Sequence, residues 1–179
     1  MRQLRVIPML FLLAAPAAQA QQVDIRSSLL ADLGRERAMT LAMVDSMPER
    51  FLRYHPVEGV RDFAQQIAHA SVPVGAFAAR ARGVTPPALG DTTQYLNSRS
   101  ALRAAVVLSY DFAATALNQM SDADLSSSGT LAREAMPKWR MFDLAHEHSV
   151  WTRGELVSYF RLNGMAPPAF QLFGGTPGE

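Results

Sequence analysis

Apolar positions along the chain recur at helical rather than strand spacing, and they fall into four segments. The first spans about Ser28 to Ser46, where Leu29, Leu30, Leu33, Leu41 and Val44 repeat at roughly helical intervals until Pro48 closes the element. Glu49 to Arg61 is a connection broken by Pro56 and Gly59. Asp62 followed by Gln65 is a capping-box-like start for a second helix to about Arg82, which Pro73 is expected to kink. The third helix, Ser98 to Met120, offers Leu102, Val106, Leu108, Phe112 and Leu117 to a core. The fourth begins at Pro137, a favoured first-turn residue, and runs to Asn163, where Gly164 and then Pro167-Pro168 form a strong stop. Between the second and third helices, Gly83 to Asn97 is rich in Pro, Gly and Thr and long enough to travel the length of a bundle, which opens a crossover topology. The pattern predicts an all-α fold, a four-helix bundle with a long crossover loop. It forms one domain over residues 21–168, with 169–179 a loose tail.

The first twenty residues have another character. Arg2 and Arg5 precede an apolar run from Val6 to Ala15, and Ala18-Gln19-Ala20 closes the segment, which is the tripartite pattern of a secretory signal peptide. The run is well short of the ~20 residues a bilayer-spanning helix needs. Residues 1–20 are therefore set apart from the fold. The mature chain is expected to start at Gln21 and to be periplasmic or secreted, with no stable membrane span after processing. Charge narrows the partners: 17 Lys+Arg against 16 Asp+Glu leaves a net +1, and the arginines are scattered, so a nucleic-acid partner is not expected. The absence of cysteine excludes disulfide scaffolds, thiolate zinc sites and cysteine nucleophiles, so any metal would sit on His, Asp or Glu.

Candidate chemistry concentrates on the second and fourth helices. At 100° per residue, Thr152, Glu155, Tyr159, Leu144 and Trp151 all fall within about 60° of His148, a stripe of polar and aromatic groups expected to face inward. Gly154 lies mid-helix, where it costs ~1 kcal/mol relative to Ala, through either a close approach of a neighbouring helix or simple tolerance. Familiar catalytic patterns are missing: there is no Gly-x-Ser-x-Gly elbow, no phosphate-binding glycine loop and no His-Glu-x-x-His, and His146-Glu147-His148 has the wrong spacing for two ligands on one helical face. Ser126 to Ser128 read as loop, His55 as a surface residue, and Trp139, Trp151 and Tyr159 as core aromatics more readily than ligand platforms. Asp111 is open between a surface and an interior place.

Two blocks carry a resemblance. MPERFLRYHPVEGVRDFAQQIAHA, Met47 to Ala70, is similar to the loop and second helix of DinB-like proteins, the damage-inducible four-helix bundles unrelated to the polymerase of that name. EHSVWTRGELVSYFRLNGMAPP, Glu147 to Pro168, resembles their last helix. The resemblance implies a divalent metal, Zn or Ni, held by three histidines: one on the second helix, and a pair four residues apart on the fourth, directly before Arg-Gly-Gln. His69 and His148 match two of these positions, and Arg153-Gly154-Glu155 matches the signature with Glu for Gln. Thr152 stands where the third histidine belongs. A neutral hydroxyl is a poor ligand for these ions beside imidazole, so the site is broken unless another group substitutes. Glu155 is an awkward substitute, since seven residues of helix rise ~10.5 Å. His69 and His148 thus remain either metal ligands or hydrogen-bonded pocket histidines, with Thr152, Glu155, Trp151 and Tyr159 around them. Two functions follow from the resemblance: a metal-dependent hydrolase or thiol-transferase-like enzyme, or a non-catalytic bundle binding a small molecule or a partner, with a homodimer in prospect.

Overall fold

The structure is a computed structural model that describes residues 24–171. The expected signal peptide and most of the expected tail lie outside the described residues. Helices dominate: α1 (Ile25–Ser46), α2 (Phe63–Arg82), the short α3 (Thr92–Asn97), α4 (Arg99–Gln119), the short α5 (Asp122–Ser126) and α6 (Lys138–Leu162), with a hairpin of β1 (Ser128–Leu131) and β2 (Glu134–Pro137) before α6. Three of the four long helices begin at a side-chain cap, and α6 follows Pro137 without one. Asp24 caps α1 by accepting from the Ser27 N–H, Ser98 caps α4, and Asp62 and Gln65 close a reciprocal capping box at α2. Gly83 ends α2 in the left-handed region at φ 75°, its N–H returning to the Ala79 carbonyl.

α1, α2, α4 and α6 form the bundle. Arg99 on α4 reaches the Met47 carbonyl past the end of α1, while Arg26 at the start of α1 reaches the Leu117 carbonyl near the end of α4, so this pair is antiparallel. Tyr159 late in α6 meets Arg61 just before α2, and Gln66 meets Thr152, so α2 and α6 are antiparallel as well. Residues 83–98 must return from the far end of α2 to the start of α4, the crossover that the Pro/Gly-rich segment predicted, and α3 is folded into it where a plain loop was expected. The interior is filled by Phe63, Ile67, Leu102, Tyr110, Phe142, Leu156 and Phe160, all nearly inaccessible. By length and composition α4 could cross a membrane, yet its apolar side, including Val106, Ala113 and Leu117, is buried in the bundle.

Pro73 lies inside α2 and removes one backbone donor. The Ser109 hydroxyl of α4 inserts into the helix ladder there, donating to the Ser71 carbonyl at 2.7 Å and accepting from the Gly75 N–H at 3.0 Å. Gly75 permits this approach, because a Cβ at that position would stand 3.0 Å from Ser109 Oγ. Two local expectations are corrected. Leu108 is exposed on α4 rather than buried, and Ser126 to Ser128 are not loop throughout: Ser126 ends α5 and Ser128 opens β1.

Candidate functional site

α6 buries Met141, Ala145, Ser149, Thr152, Leu156 and Tyr159, together with Phe142, Arg153 and Phe160 on one flank. At 100° per residue these positions centre roughly 80° around the helix from His148. The expected inward stripe, centred on the chemistry instead of on this apolar face, is corrected accordingly. His148 sits at the edge of the buried face, Thr152 and Tyr159 are inside, Leu144 is half-buried, Glu155 is exposed, and Trp151 points outward with 78% of its surface accessible. Trp151 is therefore neither core nor pocket. Trp139 does pack against the core. Gly154 is exposed, and a Cβ there would meet nothing within 4 Å, so tolerance explains it and no helix approaches.

The α2 face opposite carries Gln66 and His69 one turn apart. The His69 and His148 rings meet edge to face, 4.9 Å between centroids, and Phe77 lies beyond His148 at 6.4 Å. Thr152 Oγ1 is 3.5 Å from His148 Nδ1, and its residue is 3% exposed. Gln66, which no sequence pattern singles out, ties the helices together: its Nε2 donates to the Thr152 carbonyl at 3.1 Å and to Glu155 Oε2 at 2.7 Å. Burial holds His69 below the ordinary histidine pKa, and the positive charge of Arg61 and the neighbouring His148 act in the same direction against Glu155. The shift favours the neutral imidazole, the form that a metal ligand requires.

Tyr159 lies deeper. Its hydroxyl donates to the Arg61 carbonyl at 2.6 Å, its ring packs on Phe63 and Tyr54, and burial pushes its pKa up to about 12. It is a core residue whose tip fastens the loop before α2. His55 is exposed and bonded to the Val60 carbonyl, and Asp111 is a surface partner of Arg37.

Would these residues suit a divalent ion? Two imidazoles on facing helices are a sound start, but even an open catalytic site ordinarily has a third protein donor, and a closed one a fourth. Thr152 offers a hydroxyl, and Glu155 is engaged by Gln66. Among the described residues no group of three or more His, Asp or Glu side chains could hold a metal. The donor set fits half a site.

A shallow groove of about 440 Å³ opens beside His69, between α2 and α3. Ala68, Val72, Pro73 and Leu96 give it an apolar wall, with Tyr95 and Arg61 also lining it.

On the other flank of α6 lies a buried polar layer that the sequence did not reveal. Glu36 of α1 is 1% exposed and is bonded to His146 Nδ1, while buried Arg153 reaches the Glu36 carbonyl at 3.4 Å. Tyr110 links Ser149 at 2.8 Å to Thr40 at 3.5 Å. Burial holds His146 below its ordinary pKa. Arg153-Gly154-Glu155 therefore points three ways: toward α1, toward solvent and toward α2.

The architecture and these placements meet the comparisons with known proteins. A DinB-like protein of Bacillus subtilis, known from its crystal structure, is similar with a TM-score of 0.65 at 17% identity, over 80% of this chain and 96% of that one. At that identity the likeness is one of fold. No curated protein matches. The model of the DinB superfamily matches residues 32–151, which takes in α2, α4 and most of α1 and α6, includes His69 and His148, and stops just before Thr152. Matched over more than half of its length, the chain belongs to the DinB superfamily.

Proposed function

We propose that this protein is an exported, non-catalytic member of its superfamily that binds a small molecule in the groove beside His69, and that its histidine pair is a degenerate metal site. The observation that carries this reading is Thr152: a buried hydroxyl, 3.5 Å from His148, occupies the place where the resemblance calls for an imidazole. Glu155 does not compensate, being drawn to Gln66. Two imidazoles and a hydroxyl hold Zn or Ni far more weakly than three imidazoles do. Export is supported by the charged start, apolar run and Ala18-Gln19-Ala20 of the N-terminus. A second copy is the partner we propose for Trp151, an exposed indole beside half-exposed Val150.

A second reading is supported by the histidine geometry itself. With their rings 4.9 Å apart and His69 neutral, the pair could hold an ion in an open site as part of a metal-dependent hydrolase or transferase. Such an ion would supply an activated water or thiolate. The protein's own contribution would be to orient both rings and to keep Thr152 and Glu155 nearby.

One preparation separates the two. Protein recovered from its native host without chelator is expected to begin at Gln21 by intact mass and to carry well under one metal ion per chain by elemental analysis. A stoichiometric metal would overturn the non-catalytic reading, and an exported fraction retaining Met1–Ala20 would overturn cleavage.

A further inference from the structure

The groove beside His69 has a polarity of its own. Among the side chains that line it, Arg61 is the one that is ionised at neutral pH, and it is exposed at the end of the loop preceding α2. Arg61 forms no ion pair among the described residues, in contrast to Arg53, which is tied to Asp62 and Asn97. Ala68, Val72, Pro73, Leu96 and the Tyr95 ring give the groove a mostly apolar wall, to which Gln65, His69 and Thr92 add uncharged polar groups. An unneutralised guanidinium at one end of an apolar groove complements a ligand with a single anionic head and an apolar body. Neither half alone has that match: a small inorganic anion would leave the wall uncovered, and a neutral hydrocarbon would leave the cation unpaired.

We infer that the groove recognises an amphipathic carboxylate, the Arg61 guanidinium taking the carboxylate and the α2–α3 wall taking the aliphatic chain. This deepens the small-molecule reading above and rests on it. Arg61 suits the task because its planar donor fork can pair with both carboxylate oxygens, and charge-assisted bonds of that kind are among the stronger ones.

The test uses three probes with one aliphatic body: octanoate, 1-octanol and octylamine, each titrated calorimetrically into the mature protein. Octanoate is expected to bind about tenfold more tightly than octanol, and octylamine more weakly than either. Arg61→Gln should bring octanoate down to the level of octanol while leaving octanol binding and the thermal midpoint unchanged, since Arg61 is exposed and unpaired in the fold. Equal affinity for octanoate and octanol, or indifference of octanoate binding to Arg61→Gln, would each overturn the inference, and equal affinity would still leave the groove a small-molecule site. A stoichiometric resident metal would instead overturn the non-catalytic reading without touching the carboxylate result.

Discussion

His69 is the residue whose chemistry the fold changes most visibly. Burial, Arg61 and His148 all disfavour its protonated form, so its folded pKa lies below the ordinary value of 6.5. The unfolded chain then binds more protons than the folded one as the pH falls through about 6.5. The stability that neutral His69 contributes is present above that pH and is lost as the pH drops toward its lowered folded value. His146 is shifted in the same direction by burial, so the wild type carries both contributions. His69→Gln should therefore lose less of its thermal midpoint than the wild type between pH 7.5 and pH 5, and NMR titration should find the His69 midpoint below 6.5. A midpoint above 6.5 would mean that Glu155 outweighs the burial and the cations. At this scale the family resemblance pointed to His69, His148 and Thr152, and the fold does bring these three side chains together. The sequence was silent about Glu36 and Gln66, and about the burial of Arg153 against α1. A charged residue on a helix reads as solvent-facing, and Glu36 and His146 meet across 110 positions of chain.

Among the elements, α2 shows how much a terminus can hold. Asp62 is buried, accepts from the Gln65 N–H at 2.7 Å and takes the Arg53 guanidinium at 2.5 Å, while Arg53 also grips Asn97 at the end of α3. Asp62→Ala is expected to remove about 1–2 kcal/mol in urea denaturation, more than an isolated cap, because Arg53 loses its partner too. A loss under about 0.5 kcal/mol would show that the capping box is dispensable. The Asp62 and Gln65 start, the Gly83 stop and the Gly164 stop were all readable from residue type and spacing, since caps are local. The hairpin was not. Its turn places Ala132 and Arg133 at φ 50° and 77°, where Asn-Gly or Asp-Gly is the usual signal, so nothing in the sequence marks it. The rotational setting of α6 is likewise hidden, because Trp151 reads as core by type, and a large apolar residue on a helix can face either way.

At the scale of the whole molecule, periodicity and one long Pro/Gly-rich connection were enough to predict the bundle and its crossover. Which helices touch was not readable from those features: α1 neighbours α4 and α6, although α2 follows it in sequence, because the connections and not the helices set the order around the bundle. The outward Trp151 belongs to this scale as well. Sedimentation equilibrium is expected to find a dimer at micromolar concentration that Trp151→Glu converts to a monomer, since exposed tryptophans commonly anchor interfaces. A dimer unaffected by that change would place the contact elsewhere. The central claim is that a superfamily bundle has kept two histidines in contact and lost the third donor. Calorimetric titration of Zn into the wild type and into Thr152→His tests it most directly, because position 152 is buried one turn from His148, with its hydroxyl 3.5 Å from that ring. The account predicts weak binding by the wild type and an affinity higher by orders of magnitude, about one ion per chain, in the variant. Equally tight binding by both forms would contradict it, for then another residue completes the site and Thr152 was never the break.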